Sequence, residues 1–284
     1  MNMGLSNSVK PVLMQNQGFF PGTGVYFRDA TTNAFDDMDK FSVVVFYEYN
    51  SLVQSDHCLF SLWDGDSVKS GFRFFTSSGG IYGVVGNGEN AETYSTAVLI
   101  DYSIKYGGNA NTTQNASKLD CVVFVFDASA TNDMTLYHIN GGISRVKAKN
   151  ANYSDTGTIG TNTAISIGNE WDGDTLAKQC NDAFKIIKVS FWKDTALSNA
   201  NIQSLTNMPG TIADAASNPG YLKDVVGKGG AAGYTAASVT QPDHEWIFDI
   251  ANTSYTDTGS VGGFDLTATG SRTAGLVGST NQPS

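Results

Sequence analysis

Apolar residues recur at every second position through most of this chain. In FSVVVFYEYN (41–50), Phe41, Val43, Val45, Tyr47 and Tyr49 fall on one face, and Ser42, Val44, Phe46 and Glu48 on the other. A period of two is the signature of a β-strand. The same reading covers CLFSLW (58–63), GFRFFTS (71–77), GIYGVVG (80–86), DCVVFVFDA (120–128), MTLYHING (134–141), GISRVKAK (142–149), TAISIGN (163–169) and FKIIKVSFWK (184–193). Gly, Asn, Asp and Ser cluster between the runs, where turns need them. Short strands at this spacing predict an all-β, antiparallel two-sheet sandwich. Helical periodicity is confined to LSNANIQSL (197–205), where Ser198 or Asn199 can cap a short helix carrying Ile202 and Leu205.

From about Thr206 the character changes. TNMPGTIADAASNPG holds two Pro-Gly turns and VVGKGGAAGYTAAS is rich in small residues, before two strand-like pieces, HEWIFDI (244–250) and FDLTATG (264–270). The pattern divides the chain into an N-terminal arm (1–20), a sandwich (21–205) and a Gly/Ala/Thr-rich C-terminal extension (206–284) with one strand pair.

Composition narrows the function. Charged residues make up 15% of 284, Gly numbers 31, and the formal net charge is −10. An acidic chain lacks the basic face that phosphate backbones require, so nucleic acid is excluded as a partner. Cys58, Cys121 and Cys180 are odd in number and widely spaced, with no CxxC pair. That argues against a disulfide framework and a zinc site, and for folding in a reducing cytoplasm. Cys121, opening CVVFVF, reads as a buried thiol. MNMGLSNSVKPVLMQ has no continuous apolar core, so no secretory signal is expected. No stretch approaches the roughly 18 apolar residues of a membrane span. The N-x-S/T matches at Asn111, Asn115, Asn152 and Asn252 are then chance matches in an Asn/Thr-rich chain.

The tetrapeptide WDGD occurs twice, as Trp63-Asp64-Gly65-Asp66 and Trp171-Asp172-Gly173-Asp174. Four chemistries compete for it. The indoles of Trp63 and Trp171 can stack on a sugar ring. Asp64 with Asp66, or Asp172 with Asp174, can offer oxygen ligands to calcium, with Asp172 and Asp174 the candidate pair. Glu170-Trp171-Asp172 begins the E-x-D-x-(x)-E strand motif of glycoside hydrolases, which needs two carboxyls about 5–5.5 Å apart for retention. No glutamate closes it: Asp174 and Thr175 stand at the two possible third positions, followed by Leu176. Asp-Gly is also a strong turn dipeptide, and each copy lies between two strand signals. The turn is the favoured reading, with Trp63, Asp64, Asp66, Trp171, Asp172 and Asp174 kept as ligand-binding candidates. The flanks differ, so the repeat does not mark a duplicated domain. His57, His138 and His244 are isolated and read as ordinary polar residues. Gly227-Lys228-Gly229-Gly230 does not meet the P-loop pattern.

Between about Gly24 and Leu205 the order of elements resembles the laminin-G-like, concanavalin A-like jelly-roll family. FSVVVFYEYNS resembles its early strand, and CLFSLWDGDSVKSGFRFFTSSGGIYGVVG its three-strand meander. DCVVFVFDASATNDMTLYHINGGI resembles the pair whose second strand reads L-Y-x-N-G, here lengthened by His138. TAISIGN and DAFKIIKVSFWKDTALSNANIQSL resemble the closing strands and short helix. Lys185 and Lys188 stand where acidic residues are common, and Asn201 where Glu is common. HEWIFDIANTSYTDTGSVGGFDLTATGS resembles the T-x-D-x-S/T-G-x-G segments that flank such modules in bacterial and bacteriophage surface proteins. The resemblance implies a non-enzymatic virion protein (a capsid decoration, tail or fibre component) assembled in the host cytoplasm. It would act through contacts with other virion proteins, as a homo-oligomer, and through surface adhesion. A glycan-binding module for host attachment is the alternative, and a glycoside hydrolase comes third. No cofactor is expected beyond the candidate calcium.

Overall fold

A strand that is apolar on both faces has to be covered on both, and β2 (Lys40–Tyr49) shows this directly. Phe41, Val43, Val45 and Tyr47 enter the core between two sheets, while Val44 and Phe46 enter a second cluster on the back of their own sheet. The computed structural model describes residues 26–29, 38–49, 57–64, 69–77, 80–89, 97–101, 119–140, 143–149, 165–172, 175–177, 184–206, 234, 239–248 and 254–269. The expected arm, residues 1–20, lies outside them.

The remaining strands follow in chain order. Before β2 comes β1 (Tyr26–Asp29). After it come β3 (His57–Asp64), β4 (Lys69–Ser77), β5 (Gly80–Glu89) and β6 (Ala97–Asp101). Next are β7 (Leu119–Asp127), β8 (Met134–Asn140), β9 (Ile143–Lys149) and β10 (Ile165–Ile167). A small hairpin, β11 (Glu170–Asp172) with β12 (Thr175–Ala177), precedes β13 (Phe184–Lys193) and helix α1 (Asn199–Thr206). The chain closes with β14 (His244–Ile247), β15 (Ser254–Tyr255) and β16 (Leu266–Thr269).

Two antiparallel sheets face each other, as the alternation predicts. One has eight strands in the order β15-β16-β1-β10-β3-β4-β5-β6, the other six in the order β14-β13-β2-β7-β8-β9. Phe41, Phe72 and Phe124 meet between them, with ring centroids 5.0 Å (Phe41–Phe72) and 4.5 Å (Phe72–Phe124) apart. The sheets approach so closely there that a Cβ on Gly83 would lie 2.3 Å from the Phe124 ring. Glycine is required at that position because nothing larger fits.

Within residues 206–284, β14 and β16 belong to different sheets. β14 hydrogen-bonds to β13, while β16 lies between β15 and β1. Trp246, Phe248, Tyr255 and Leu266 all join the main core. Residues 239–269, as far as they are described, therefore complete the sandwich.

The back of the six-stranded sheet is closed by α1 and by Tyr234 and Val239. Ser198 caps α1 reciprocally. Asn201 N–H donates to Ser198 Oγ at 3.2 Å, and Ser198 N–H donates to Asn201 Oδ1 at 3.1 Å. Asn201 thus does what glutamate does in a capping box. Tyr137 of β8 anchors the same helix, its hydroxyl donating to Asn199 Oδ1 at 2.6 Å. Burial pushes that phenol up to about 12. No helix among the described residues is long and apolar enough to cross a membrane.

Candidate functional site

The two WDGD copies fall in different settings. Trp63 and Asp64 are the last two residues of β3, with Gly71 and Ser70 as their cross-strand partners. Trp171 and Asp172 belong to β11, where Asp172 pairs with Thr175 and Trp171 with Leu176. That register leaves two residues to turn the chain, the length of the tightest hairpin loops. Asp66 and Asp174 lie outside the described residues. In each copy the Trp and its following Asp occupy successive strand positions, which belong to opposite faces.

The hairpin also bears on the glycosidase motif. That motif needs its acids on one continuous strand, but β11 ends at Asp172 and Thr175 and Leu176 lie on the returning strand. Glu170 and Asp172 share a strand face, and β11 ends before the motif's third position is reached. Among the described residues no group of three or more His, Cys, Asp or Glu could hold a metal ion. Cys58 and Cys121 are buried thiols, and Cys180 lies outside the described residues.

Ionisable side chains do converge elsewhere, around β14. Lys188 and Glu245 are fully buried on the back of the six-stranded sheet, with Nζ 2.8 Å from Oε2. A register shift between Ile186 and Lys188 places them there. It sends Ile187 into the outer cluster while Ile186 and Val189 stay in the main core. Charge attraction holds the pair. The ammonium also sits 5.0 Å from the centre of the Tyr234 ring, a favourable cation–π distance. Tyr234 donates its hydroxyl to Glu245 Oε2, and Ser190 Oγ donates to the same oxygen at 3.2 Å. Burial pulls the Lys188 ammonium below its usual range, while the Glu245 carboxylate works against that shift. Burial, and then Glu245, pushes the Tyr234 phenol far up, so it remains a donor.

On the core side of the same strand, His244 Nδ1 lies 2.6 Å from Asp257 Oδ2. Hydrolases orient an imidazole in this way. Here the ring is packed against Phe264, at 4.8 Å and edge-on, and against Trp246 at 6.2 Å. Asp257 also accepts the backbone N–H groups of Glu245 (2.9 Å) and Gly259 (3.0 Å) on its other oxygen. The pair ties a loop, residues 256–265, to the edge of β14. Thr258 N–H donates to the Glu245 carbonyl, Ser260 to Pro242, and Val261 and Gly262 to Asp243. That loop occupies backbone groups an edge strand would otherwise offer to another chain. A Cβ on Gly259 would lie 2.1 Å from the Asp243 carbonyl oxygen, so only glycine lets the loop lie this close.

Burial alone would raise the Asp257 carboxyl, but the bonds from His244, Glu245 and Gly259 outweigh it and hold the group below its ordinary value. A carboxyl depressed in the folded state adds stability that is complete above its unfolded value, near pH 4. That stability is lost as pH falls through the folded value. Urea midpoints measured from pH 7 downwards should therefore drop below about pH 4. Asp257→Asn should cost about 1.5–3 kcal/mol at neutral pH, the scale of hydrogen bonds to a charged group, and flatten that acid limb. An acid limb of unchanged steepness in the variant would show that Asp257 does not carry it.

Neither polar cluster was singled out in the sequence. His244 reads as an ordinary polar residue and Lys188 as a departure from the family pattern. Asp257 and Gly259 do fall within T-x-D-x-S/T-G-x-G, the one available signal. What the clusters do chemically is hold strands: their polar atoms are directed at one another and at backbone.

No family model and no curated protein matches the chain. Among solved structures it is similar to the full extracellular region of zebrafish Gpr126/Adgrg6 at 13% identity and TM-score 0.43, over 72% of this chain and 24% of that one. It is similar to the binding domain of botulinum neurotoxin DC in complex with rat synaptotagmin II at 15% identity and TM-score 0.39, over 59% of this chain and 35% of that one. The Ruminococcus gnavus IT-sialidase CBM40 bound to alpha2,6 sialyllactose gives 12% identity and TM-score 0.39, over 65% of this chain and 92% of that one.

Proposed function

We propose that this chain is a non-enzymatic structural and binding module of a virion, a rigid sandwich that works through protein contacts and surface adhesion. The observation that carries the non-catalytic part is the use made of the buried ionisable groups. Lys188, Glu245, His244 and Asp257 fasten β14 and its covering loop rather than lining a cleft. The interrupted Glu170–Asp172 strand motif points the same way. The virion assignment is supported by the low charge, the Gly-rich turns and the likeness of the C-terminal segment to those of bacteriophage surface proteins. Immunogold labelling of intact particles with antibody to the folded chain tests it. Labelled particle surfaces are expected. Antigen recovered only from the particle-free supernatant would overturn the assignment.

Glycan binding for attachment is the second reading, favoured by the position of Trp63. Its register partner across the sheet is Gly71, itself opposite Gly86. Retention on a glycan array should fall to background in Trp63→Ala with the melting temperature held. Equal retention by the variant and the parent chain would count against that site.

A further inference from the structure

Alternation sets a row of polar side chains on the face of the eight-stranded sheet that turns away from the core. Phe60 and Leu62 of β3, Phe72 of β4, and Ile165 and Ile167 of β10 all enter the core between the sheets. Ser61, Arg73 and Ser166 alternate with them in sequence and so belong to the opposite face. The register lines the three up, with Ser166 opposite Ser61 and Ser61 opposite Arg73. A fourth polar group joins the row from just beyond β10. Gly168 takes a φ of 90°, which a side chain would resist, and its N–H donates to the Leu59 carbonyl at 3.3 Å. The turn carries Asn169 back to its own strand, where Ser166 Oγ donates to Asn169 Oδ1.

None of the four exposes more than 2% of its surface. Ser166 occupies the acceptor end of the Asn169 amide, which leaves the donor end. Among the described residues, neither Asn169 Nδ2 nor Ser61 Oγ has a hydrogen-bond partner. A buried donor in that state has lost its hydration and gained nothing, and native interiors keep few of them. Arg73, whose guanidinium carbon lies 5.3 Å from the centre of the Phe75 ring, brings positive charge to the same row. One acceptor carrying negative charge answers both donors and the cation. A site so fully enclosed admits only a small one.

We infer that Ser61, Asn169 and Arg73 bind one small monovalent anion, a halide or a formate-sized carboxylate, on the outer face of the eight-stranded sheet. The anion fastens the residue after β10 to β3 and β4, and so adds to the stability of the sandwich. The site is separate from Trp63 and from the buried pairs around β14.

Thermal unfolding of the full chain at fixed ionic strength, in sodium chloride, formate or gluconate, tests it. Gluconate carries the same charge but is too large for an enclosed site. Saturating chloride, formate or both should raise the melting temperature by about 5 °C or more above gluconate. Ser61→Ala removes one donor and should weaken the apparent affinity about tenfold. Asn169→Asp is isosteric and puts a carboxylate oxygen where the amide donor stood. It should abolish the anion-dependent rise and keep the melting temperature in gluconate, which a merely structural role would not do. Crystals grown in bromide should show its anomalous signal within hydrogen-bond reach of Ser61 Oγ and Asn169 Nδ2. Equal melting temperatures in all three salts would overturn the inference, as would a rise left unchanged by both substitutions. A bromide crystal with only water between the two donors would do the same.

Discussion

Lys188→Met is expected to lower the free energy of unfolding by about 3–5 kcal/mol, the usual cost of stranding one member of a buried ion pair. Glu245 would keep its bonds from Tyr234 and Ser190 but lose the ammonium 2.8 Å from its Oε2. A lone carboxylate with no exposed surface must either remain charged in a low-dielectric site or take up a proton, and both are costly. Adding Glu245→Gln removes the stranded charge and leaves Tyr234 an acceptor, so the double variant should recover more than half of the loss. The coupling follows from a double-mutant cycle by chemical denaturation. A Lys188→Met variant within about 0.5 kcal/mol of the parent, the range of ordinary surface changes, would mean that the pair contributes nothing to holding β14.

Trp246→Ala is the second large effect, at about 3–5 kcal/mol for emptying a buried indole site. Trp246 is completely buried between the sheets, and its indole N–H donates to the Phe264 carbonyl at 2.7 Å. Truncation therefore opens a cavity and leaves that carbonyl without its donor. The loss should appear as one cooperative shift of the whole denaturation curve, because the residue belongs to the main core. A two-step curve in which only the C-terminal strands melt early would show that β14–β16 form a separable unit.

The pair also shows where sequence reading reached and where it stopped. The period-two runs identify β2, β3, β4, β5, β7, β8, β9, β10 and β13 because each carries enough β-branched and aromatic residues to declare its alternation. HEWIFDI and FDLTATG register as strands for the same reason. What they pair with was not legible, since β14 joins β13 across the segment that contains α1, and β16 joins β1 at the other end of the chain. Such pairings are set by tertiary packing, which local pattern does not encode. β1 (YFRD) and β6 (AVLID) carry no apolar–polar alternation, and β15, β11 and β12 are two or three residues long with no longer run around them.

The polar clusters were hidden for a related reason. Lys188 sits in FKIIKVSFWK with the same local look as Lys185, and only the register shift after Ile186 turns it into a buried site beside Glu245. His244 and Glu245 are adjacent in sequence and serve opposite faces of one strand, His244 to Asp257 and Glu245 to Lys188. The WDGD repeat, by contrast, is conspicuous in sequence, and register alone separates its copies. One closes β3, and the other forms the β11–β12 hairpin.

Single-particle reconstruction of purified virions most directly tests the claim that this chain is an adhesive component of a particle surface. The account predicts density for the sandwich on the outside of the particle. Particles that carry no such density, with the intact chain recovered free in solution, would contradict it.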